Sequence, residues 1–336
     1  MKESATKLLS IVVPAFNEEE NLPLVFPRLT QVLTALPAHI DYEVIVLDNA
    51  STDRTPIIAR EFCERDQHWK FLRYSRNFGV EASMLAGLDY AGGEAVVLLP
   101  ADLQDPPELI PEFVRQWEEG FEVVGGVLRK RSDYRMLKTV GAKIAYWLIY
   151  MLSECKIPSD ATDFRLLDRK VVDALKLLRE PDRYMRGLVH WVGFRRSYVL
   201  YDRDPRRGGR STAGIWFCVV YALNAILCFS TRPLRLATLF GAFVAAISFA
   251  YALFAFAVYF LRLSFIPAAP PGVTTIVLLV SFFLGFNTMF LGIIGEYTAR
   301  IYNQGKNRPL YLIDERVNFD ATTQCNTSLS STRAPR

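Results

Sequence analysis

Two spacings of apolar residues alternate between residues 8 and 130. Short runs rich in Val, Ile, Leu and Phe occur at "LLSIVVP" (8–14), "YEVIVLD" (42–48), "KFLRYS" (70–75), "AVVLLP" (95–100) and "FEVVGGV" (121–127). Such runs, bounded by turn-forming residues, predict strands. Between them, stretches near 19–36, 54–66, 79–91 and 107–119 carry helical spacing. Strands alternating with helices predict βαβ units: an α/β fold with a Rossmann-like, mostly parallel sheet. In open sheets of this kind ligands bind beyond the carboxyl ends of the strands. The polar clusters fall there: Asn17 and Glu18 after the first strand, 48–53 after the second, 76–79 after the third and 102–105 after the fourth.

The pattern changes after residue 130. "RSDYRMLKTVGAKIAYWLIYML" (131–152) sets Arg131, Arg135, Lys138 and Lys143 beside Leu137, Val140, Ile144, Trp147 and Leu148. That spacing predicts a basic amphipathic helix suited to an anionic bilayer surface. Residues 236–261 and 272–295 carry no formal charge, and each exceeds the ~20 residues that cross a hydrocarbon core. Arg232 and Arg235 precede the pair, and Arg300, Lys306 and Arg308 follow it. Because basic flanks stay on the cytoplasmic side, the pair predicts a C-terminal two-helix transmembrane hairpin with both termini in the cytoplasm. Residues 211–231 are also uncharged, but they lie between Arg206, Arg207 and Arg210 on one side and Arg232 and Arg235 on the other. A crossing would put one basic cluster outside, so this segment is expected to lie in the interface. The last twenty or so residues are polar and expected to be disordered.

Composition fits a membrane-attached chain: 51% of residues are hydrophobic and 22% charged. The net charge of +4 is too small to argue for a nucleic-acid partner. Five scattered cysteines without a CxxC read as reduced thiols, and three histidines argue against a His-based metal site. The N-terminus meets acids and a proline too early for a signal peptide. No GxGxxG follows the first strand and no GxxxxGK[ST] occurs, against a dinucleotide oxidoreductase or a P-loop ATPase.

The run "LLPADLQDPPEL" (98–109) ends a strand in carboxylates and prolines. Asp102 and Gln104 are spaced i, i+2, so both side chains can face one side. A hard cation such as Mg²⁺ or Mn²⁺ takes oxygen ligands and completes its shell with water and phosphate. Asp102 and Asp105 could equally cap the helix that Pro106 and Pro107 preset, and both readings stand. Asp163 beside Thr162 could be a helix cap, Arg76 a surface charge, and Asn77 and Gly79 turn formers. The basic run 206–210 suits either a membrane surface or a glycine-hinged clamp on an anion. His190 and Trp191 read as packing residues.

"VVPAFNEEENL" (12–22), "LDNASTDRT" (47–55), "RNFG" (76–79), "ADLQDPPE" (101–108), "DFRLLDR" (163–169) and "GEYTARIY…RPLY" (295–311) occur in this order. Together they resemble family 2 glycosyltransferases that load a sugar onto a polyprenyl phosphate, such as dolichyl-phosphate mannose synthase and bacterial undecaprenyl-phosphate glycosyltransferases. The resemblance spans residues 11 to about 311 and implies a GT-A fold. It implies that Pro14, Ala15, Phe16, Glu18, Asp48, Asn49, Arg76, Asn77 and Ala101 bind a nucleotide-sugar. Asp102 and Gln104 match the Asp-x-Gln that holds Mg²⁺ or Mn²⁺ at the diphosphate, Asp163 and Arg165 the acceptor-side catalytic pair with Asp102. Arg129, Arg131, Arg206 and Ser211 match residues at the acceptor phosphate, with Gly209 in the same RxxGxS loop. The implied organisation is a nucleotide-sugar-binding part (1–130), an acceptor-side part with interfacial helices (131–231), the hairpin (232–300) and a cytoplasmic tail (301–336). The implied location is the inner membrane, multi-pass, with a polyprenyl-phosphate acceptor in the bilayer. A homo-oligomer is left open.

The chain departs from relatives in three places. Asn49 and Ala50 stand where Asp-Gly is common, Pro100 where a first metal-side Asp is common, and Thr212 where a Lys is common. Pro100 removes one metal-side carboxylate. A processive polysaccharide synthase would share the fold, but no QxxRW-like segment exists and one hairpin is too few for a polymer channel. A catalytically weak or inactive membrane-anchored nucleotide-sugar-binding protein remains the alternative.

Overall fold

The computed structural model describes residues 6–129, 161–203 and 273–319, with part of 232–250. The helix expected over 131–152 and the interfacial segment 211–231 lie outside the described residues, as do Arg131, Arg206, Gly209 and Ser211.

All five predicted strands form: β1 Lys7–Ala15, β2 Ile40–Asp48, β3 Trp69–Tyr74, β4 Ala95–Leu98 and β5 Val123–Leu128. The helices between them are α1 Leu22–Thr34, α2 Thr55–Arg65, α3 Val80–Tyr90 and α4 Ile110–Glu118. Helix α1 buries Leu22, Val25, Phe26, Leu29 and Leu33, the stripe expected of a helix packed on a sheet. Both faces of β1 are covered. Leu9, Ile11 and Val13 join the core under α1, α2 and α4, and Val12 joins the core under α3. Helix α3 rides so close to β1 that a Cβ at Gly87 would stand 2.2 Å from Val12 Cγ1.

The sheet is mixed and mostly parallel, as expected. Its order is β7-β5-β6-β4-β1-β2-β3-β8. The block β4-β1-β2-β3 is parallel. Strand β6, Ala161–Asp168, runs antiparallel between β4 and β5. Strand β7, Arg196–Tyr201, lies parallel to β5 at the edge. The segment "ATDFRLLD" is therefore a strand and Asp163 is not a helix cap. Its two faces feed two cores, Phe164 and Leu166 on one side and Leu167 on the other. Helix α5, Arg169–Leu177, follows at once, with Asp168 accepting from the Lys170 N–H at its start. Helix α6, Met185–Trp191, precedes β7.

Helix α7 spans Val273–Gly305, across the second expected membrane segment. Among the described residues no helix is long and apolar enough to cross a membrane, and the first expected segment is described only in part. Where both can be followed, Phe240 stacks on Phe286 of α7 at 4.6 Å. The segment after α7 begins as more than a tail. Residues Ile313–Val317 form β8, antiparallel to β3. Bidentate bonds from Arg60 to Glu315 (2.8 and 2.7 Å) hold it to α2.

Candidate active site

Strand directions bring eight strand ends to one edge of the sheet. These are the carboxyl ends of β1, β2, β3, β4, β5 and β7 and, because they run the other way, the amino ends of β6 and β8. Leu98 pairs with Arg165 in register, so Asp163 lies just beyond β4, beside the 99–105 loop. Residues as distant in sequence as Asn17, Asp102, Asp163 and Arg203 thus share one rim.

The first two loops are laced together. Asn17 N–H donates to Ser51 Oγ (2.9 Å), and Thr52 N–H donates back to Asn17 Oδ1 (2.9 Å). Glu18 N–H donates to Thr55 Oγ1 at 2.8 Å. Asp48 is fully buried and accepts from Ser51 N–H at 3.1 Å, with Arg73 Nε 3.3 Å away. Burial raises its carboxyl above the ordinary value, and the Ser51 bonds and Arg73 pull against that. Asp48 therefore shapes the rim from behind, and Glu18 is tied to it through its backbone. Phe16, 41% exposed, offers an open ring there, with Pro14 half-buried and Ala15 buried beneath it.

Asn49 ties the second loop to the third. Its Nδ2 donates to Asn77 Oδ1 (3.1 Å) and its Oδ1 accepts from Phe78 N–H (2.8 Å). Both faces of its amide are used inside the protein, and Asn77 Oδ1 also accepts from Gly79 N–H. Arg76 is exposed, its guanidinium 3.9 Å from the centre of the Phe78 ring.

The fourth loop carries the carboxylates. Ala101 is buried, and Leu103 takes φ 57°, a left-handed turn that reverses the chain between Asp102 and Gln104. Asp102 Oδ1 accepts from Gln104 N–H at 3.2 Å. Asp105 is buried; it accepts from the Tyr201 hydroxyl and lies 3.3 Å from Arg203 Nε. Burial raises the Asp105 carboxyl, opposed by Arg203 and Tyr201. Arg203 Nη2 is also 4.0 Å from Asp102 Oδ2. Among the described residues no three His, Cys, Asp or Glu side chains gather as a metal cage. One carboxylate with an adjacent amide side chain suits Mg²⁺ or Mn²⁺ that draws its remaining ligands from water and phosphate. The donor set at Asp102 and Gln104 fits such a cation.

Asp163 sits in a cluster of arginines. Arg186, from α6, donates to both its oxygens at 2.7 and 2.6 Å, and Arg165 Nη2 approaches at 3.3 Å. Burial works to raise the Asp163 carboxyl, but Arg186 and then Arg165 outweigh it and hold it below the ordinary value. Arg165 is nearly enclosed and spends itself on the Thr162 carbonyl at 2.6 Å. Glu81 of α3 accepts the Met185 N–H at 2.8 Å, fixing the turn that carries Arg186. Burial, with the Asp163 charge, pushes Glu81 up to about 7. Arg129 stands at the exposed end of β5, 3.7 Å from Asp202.

His190 is half-buried. Its Nδ1–H donates to the Arg186 carbonyl (2.8 Å) and its Nε2 faces the Tyr198 hydroxyl (3.2 Å). Burial lowers its pKa to about 4, so it is neutral near pH 7. Trp191 is 61% exposed and is not a packing residue. Helix α6 is about two turns long, and it buries Met185, Leu188 and Val189 while Trp191 faces outward. Tyr201, Arg203, Arg186 and Glu81 were not singled out by the sequence, and Asp105 was named there only as a candidate helix cap in the acidic run after β4.

The site is thus a set of acidic loops at the strand ends of an α/β sheet, with arginines facing them across the rim. The chain belongs to glycosyl transferase family 2, whose model matches residues 10–175. It is 42% identical over 307 residues to an uncharacterized glycosyltransferase of Synechocystis sp., covering 91% of this chain and 95% of that one. It is 39% identical to an uncharacterized glycosyltransferase of Bacillus subtilis, covering 93% and 94%. It is 36% identical over 309 residues to a prophage-derived bactoprenol glucosyl transferase of Shigella flexneri, covering 91% and 97%.

Proposed function

We propose that this protein transfers a hexose, glucose in the first instance, from a UDP-sugar to the phosphate of undecaprenyl (bactoprenyl) phosphate. The observation that carries the proposal is the near full-length match to a bactoprenol glucosyl transferase. The geometry supports it with two adjoining regions on one rim, an acidic loop at Asp102 and an arginine cluster at Asp163.

The acceptor phosphate, with a second pKa near ~6, is largely dianionic at neutral pH and needs positioning more than deprotonation. One of its oxygens attacks the anomeric carbon. The bond from that carbon to the β-phosphate oxygen breaks, and its electron pair leaves with UDP. A single displacement inverts the anomeric centre. Asp102 and Gln104 would hold an Mg²⁺ or Mn²⁺, whose charge would neutralise the departing diphosphate. Phe16 faces the base, and the lacing of Asn17, Asn49 and Asn77 keeps the rim in place around the nucleotide. Asp163 stays ionised and paired, so its part is to orient Arg186 and Arg165. Arg129 and Arg186 are our candidates to hold the acceptor phosphate, and the family resemblance adds Arg131, Arg206 and Ser211 to them. Guanidinium groups suit this task because they match phosphate oxygens bidentately.

The acceptor's long prenyl chain explains the apolar C-terminal half. Residues 236–261 and 272–295 form a hairpin through the inner membrane, with the catalytic domain and both termini in the cytoplasm. Residues 131–152 and 211–231 lie in the interface beside the lipid.

The test is transfer by purified full-length protein with a panel of UDP- and GDP-sugars, undecaprenyl phosphate, and Mg²⁺, Mn²⁺ or EDTA. Metal-dependent transfer, reduced about 10²–10³-fold in Asp102→Ala, supports the proposal. A second reading, a non-catalytic nucleotide-sugar-binding protein, is favoured by Pro100 and by the lack of a second metal-side carboxylate. Tight UDP-sugar binding without transfer under any condition would establish that reading instead.

A further inference from the structure

Arg203 follows β7 and reaches across the rim to the loop after β4. Its Nε lies 3.3 Å from Asp105 Oδ1, and its Nη2 is 3.4 Å from Asp105 Oδ2. Asp105 is enclosed, with the Tyr201 hydroxyl as a further partner. That contact anchors the guanidinium. The contact to Asp102 is of another kind: Nη2 stands 4.0 Å from Oδ2, an ion pair without a hydrogen bond, at a side chain still 36% exposed. Asp102 is the carboxylate on which the metal reading rests, and Pro100 leaves it without an acidic neighbour two residues before it.

We infer that Arg203 is a diphosphate-binding residue of the donor site, and that in the absence of nucleotide it competes with the divalent cation for Asp102. The inference rests on the donor-site reading above. Asp105 answers the Arg203 charge, but the guanidinium still stands 4.0 Å from Asp102 and repels a dication there, so the cation binds the free protein weakly. A nucleoside diphosphate adds the missing negative charge. It offers oxygens to the cation and to the outward edge of the guanidinium, which keeps its hold on Asp105. A planar guanidinium is suited to phosphate oxygens in a way an ammonium is not. Cation and diphosphate therefore bind with positive coupling, and by linkage each tightens the other by the same factor. Pro100 makes the arrangement workable: a second carboxylate there would hold the cation without nucleotide.

The experiment measures Mn²⁺ binding to the full-length protein in detergent by electron paramagnetic resonance of free Mn²⁺, with and without UDP. Wild type, Arg203→Met and Arg203→Lys are compared, with circular dichroism as the control for folding. In wild type, UDP tightens Mn²⁺ binding by about 5–150-fold, the usual range for coupled sites. Arg203→Met binds Mn²⁺ more tightly than wild type without UDP, binds UDP more weakly, and loses most of the coupling. Arg203→Lys keeps a charge beside buried Asp105, which protects folding if the Met variant fails. It keeps the competition for Asp102 but loses part of the UDP affinity. The inference is overturned if a folded Arg203 variant shows wild-type Mn²⁺ and UDP affinities, or if Arg203→Met weakens Mn²⁺ binding without UDP. Wild-type protein that binds neither UDP nor Mn²⁺ would overturn the donor-site reading itself.

Discussion

The pairing of Asp163 with Arg186 changes what the acceptor-side residues can do. A carboxylate bonded through both oxygens to one guanidinium and approached by another is poorly placed to take a proton. If it orients the arginines, Arg186→Gln should lower kcat about 10²-fold while leaving the KM for the UDP-sugar near wild type. Arg186→Lys should recover part of the rate. Steady-state kinetics on both variants checks this; a base-only Asp163 would leave Arg186 substitutions nearly silent. Glu81, behind the same turn, gives a pH prediction. Its folded pKa of about 7 is raised above the ordinary 4.5, so the protonated form is favoured in the folded state. Its contribution is fully present below about pH 4.5 and lost as pH rises through about 7. Glu81→Gln should therefore be more stable than wild type at pH 8, with the advantage fading by pH 5, read from Tm across that range. Asp102, Gln104, Asp163 and Arg165 were picked out through short motifs that the family resemblance supplies, and the fold brings them to one rim. Arg186 and Arg203 were not picked out, since each finds its carboxylate through the fold, across 23 and 98 positions respectively.

At the scale of elements, the strand ends are held by turns as much as by strands. Asn17, Ala50 and Leu103 all adopt positive φ, at 55°, 57° and 57°. All three lie in the loops that form the rim. For a residue with a side chain this region costs about 1–2 kcal/mol, which accounts for the glycine common among relatives at position 50. Ala50→Gly should stabilise the protein by about 0.5–1 kcal/mol, once the extra flexibility of glycine in the unfolded chain is subtracted. Urea unfolding measures the difference. Gly87→Ala should do the reverse and destabilise by about 1–3 kcal/mol, because its Cβ would drive into Val12 and force α3 off β1. The strands β1 to β5 were legible because each is a short apolar run between turns. Strands β6 and β8 were not: "ATDFRLLD" interleaves a buried Arg165 with its apolar residues, and "IDERV" is three-fifths charged. Only pairing with neighbours makes strands of them.

At the scale of the whole molecule, the C-terminal segment returns to the catalytic domain after α7. Tyr311 donates to Asp89 at 2.8 Å, and Arg179 holds the same carboxylate at 2.7 and 2.8 Å. Arg300 of α7 lies 3.7 Å from Asp182, in the loop leading to α6 and Arg186. The end of the long helix, the sheet edge and the arginine cluster are thus linked through successive contacts. The α/β class was legible from the alternation of spacings, and the hairpin stands as an expectation from uncharged length. The closing strand was hidden because its fit depends on the exposed edge of β3 and not on its own pattern.

The central claim is that the phosphate of a prenyl lipid is the nucleophile. The most direct measurement supplies labelled UDP-glucose with undecaprenyl phosphate or with undecaprenol, and follows label into the organic phase alongside UDP release. The account predicts stoichiometric UDP release and lipid labelling with the phosphate alone, the label being carried as a lipid phosphosugar. Equal labelling of undecaprenol, or UDP release that ignores the lipid, would contradict it.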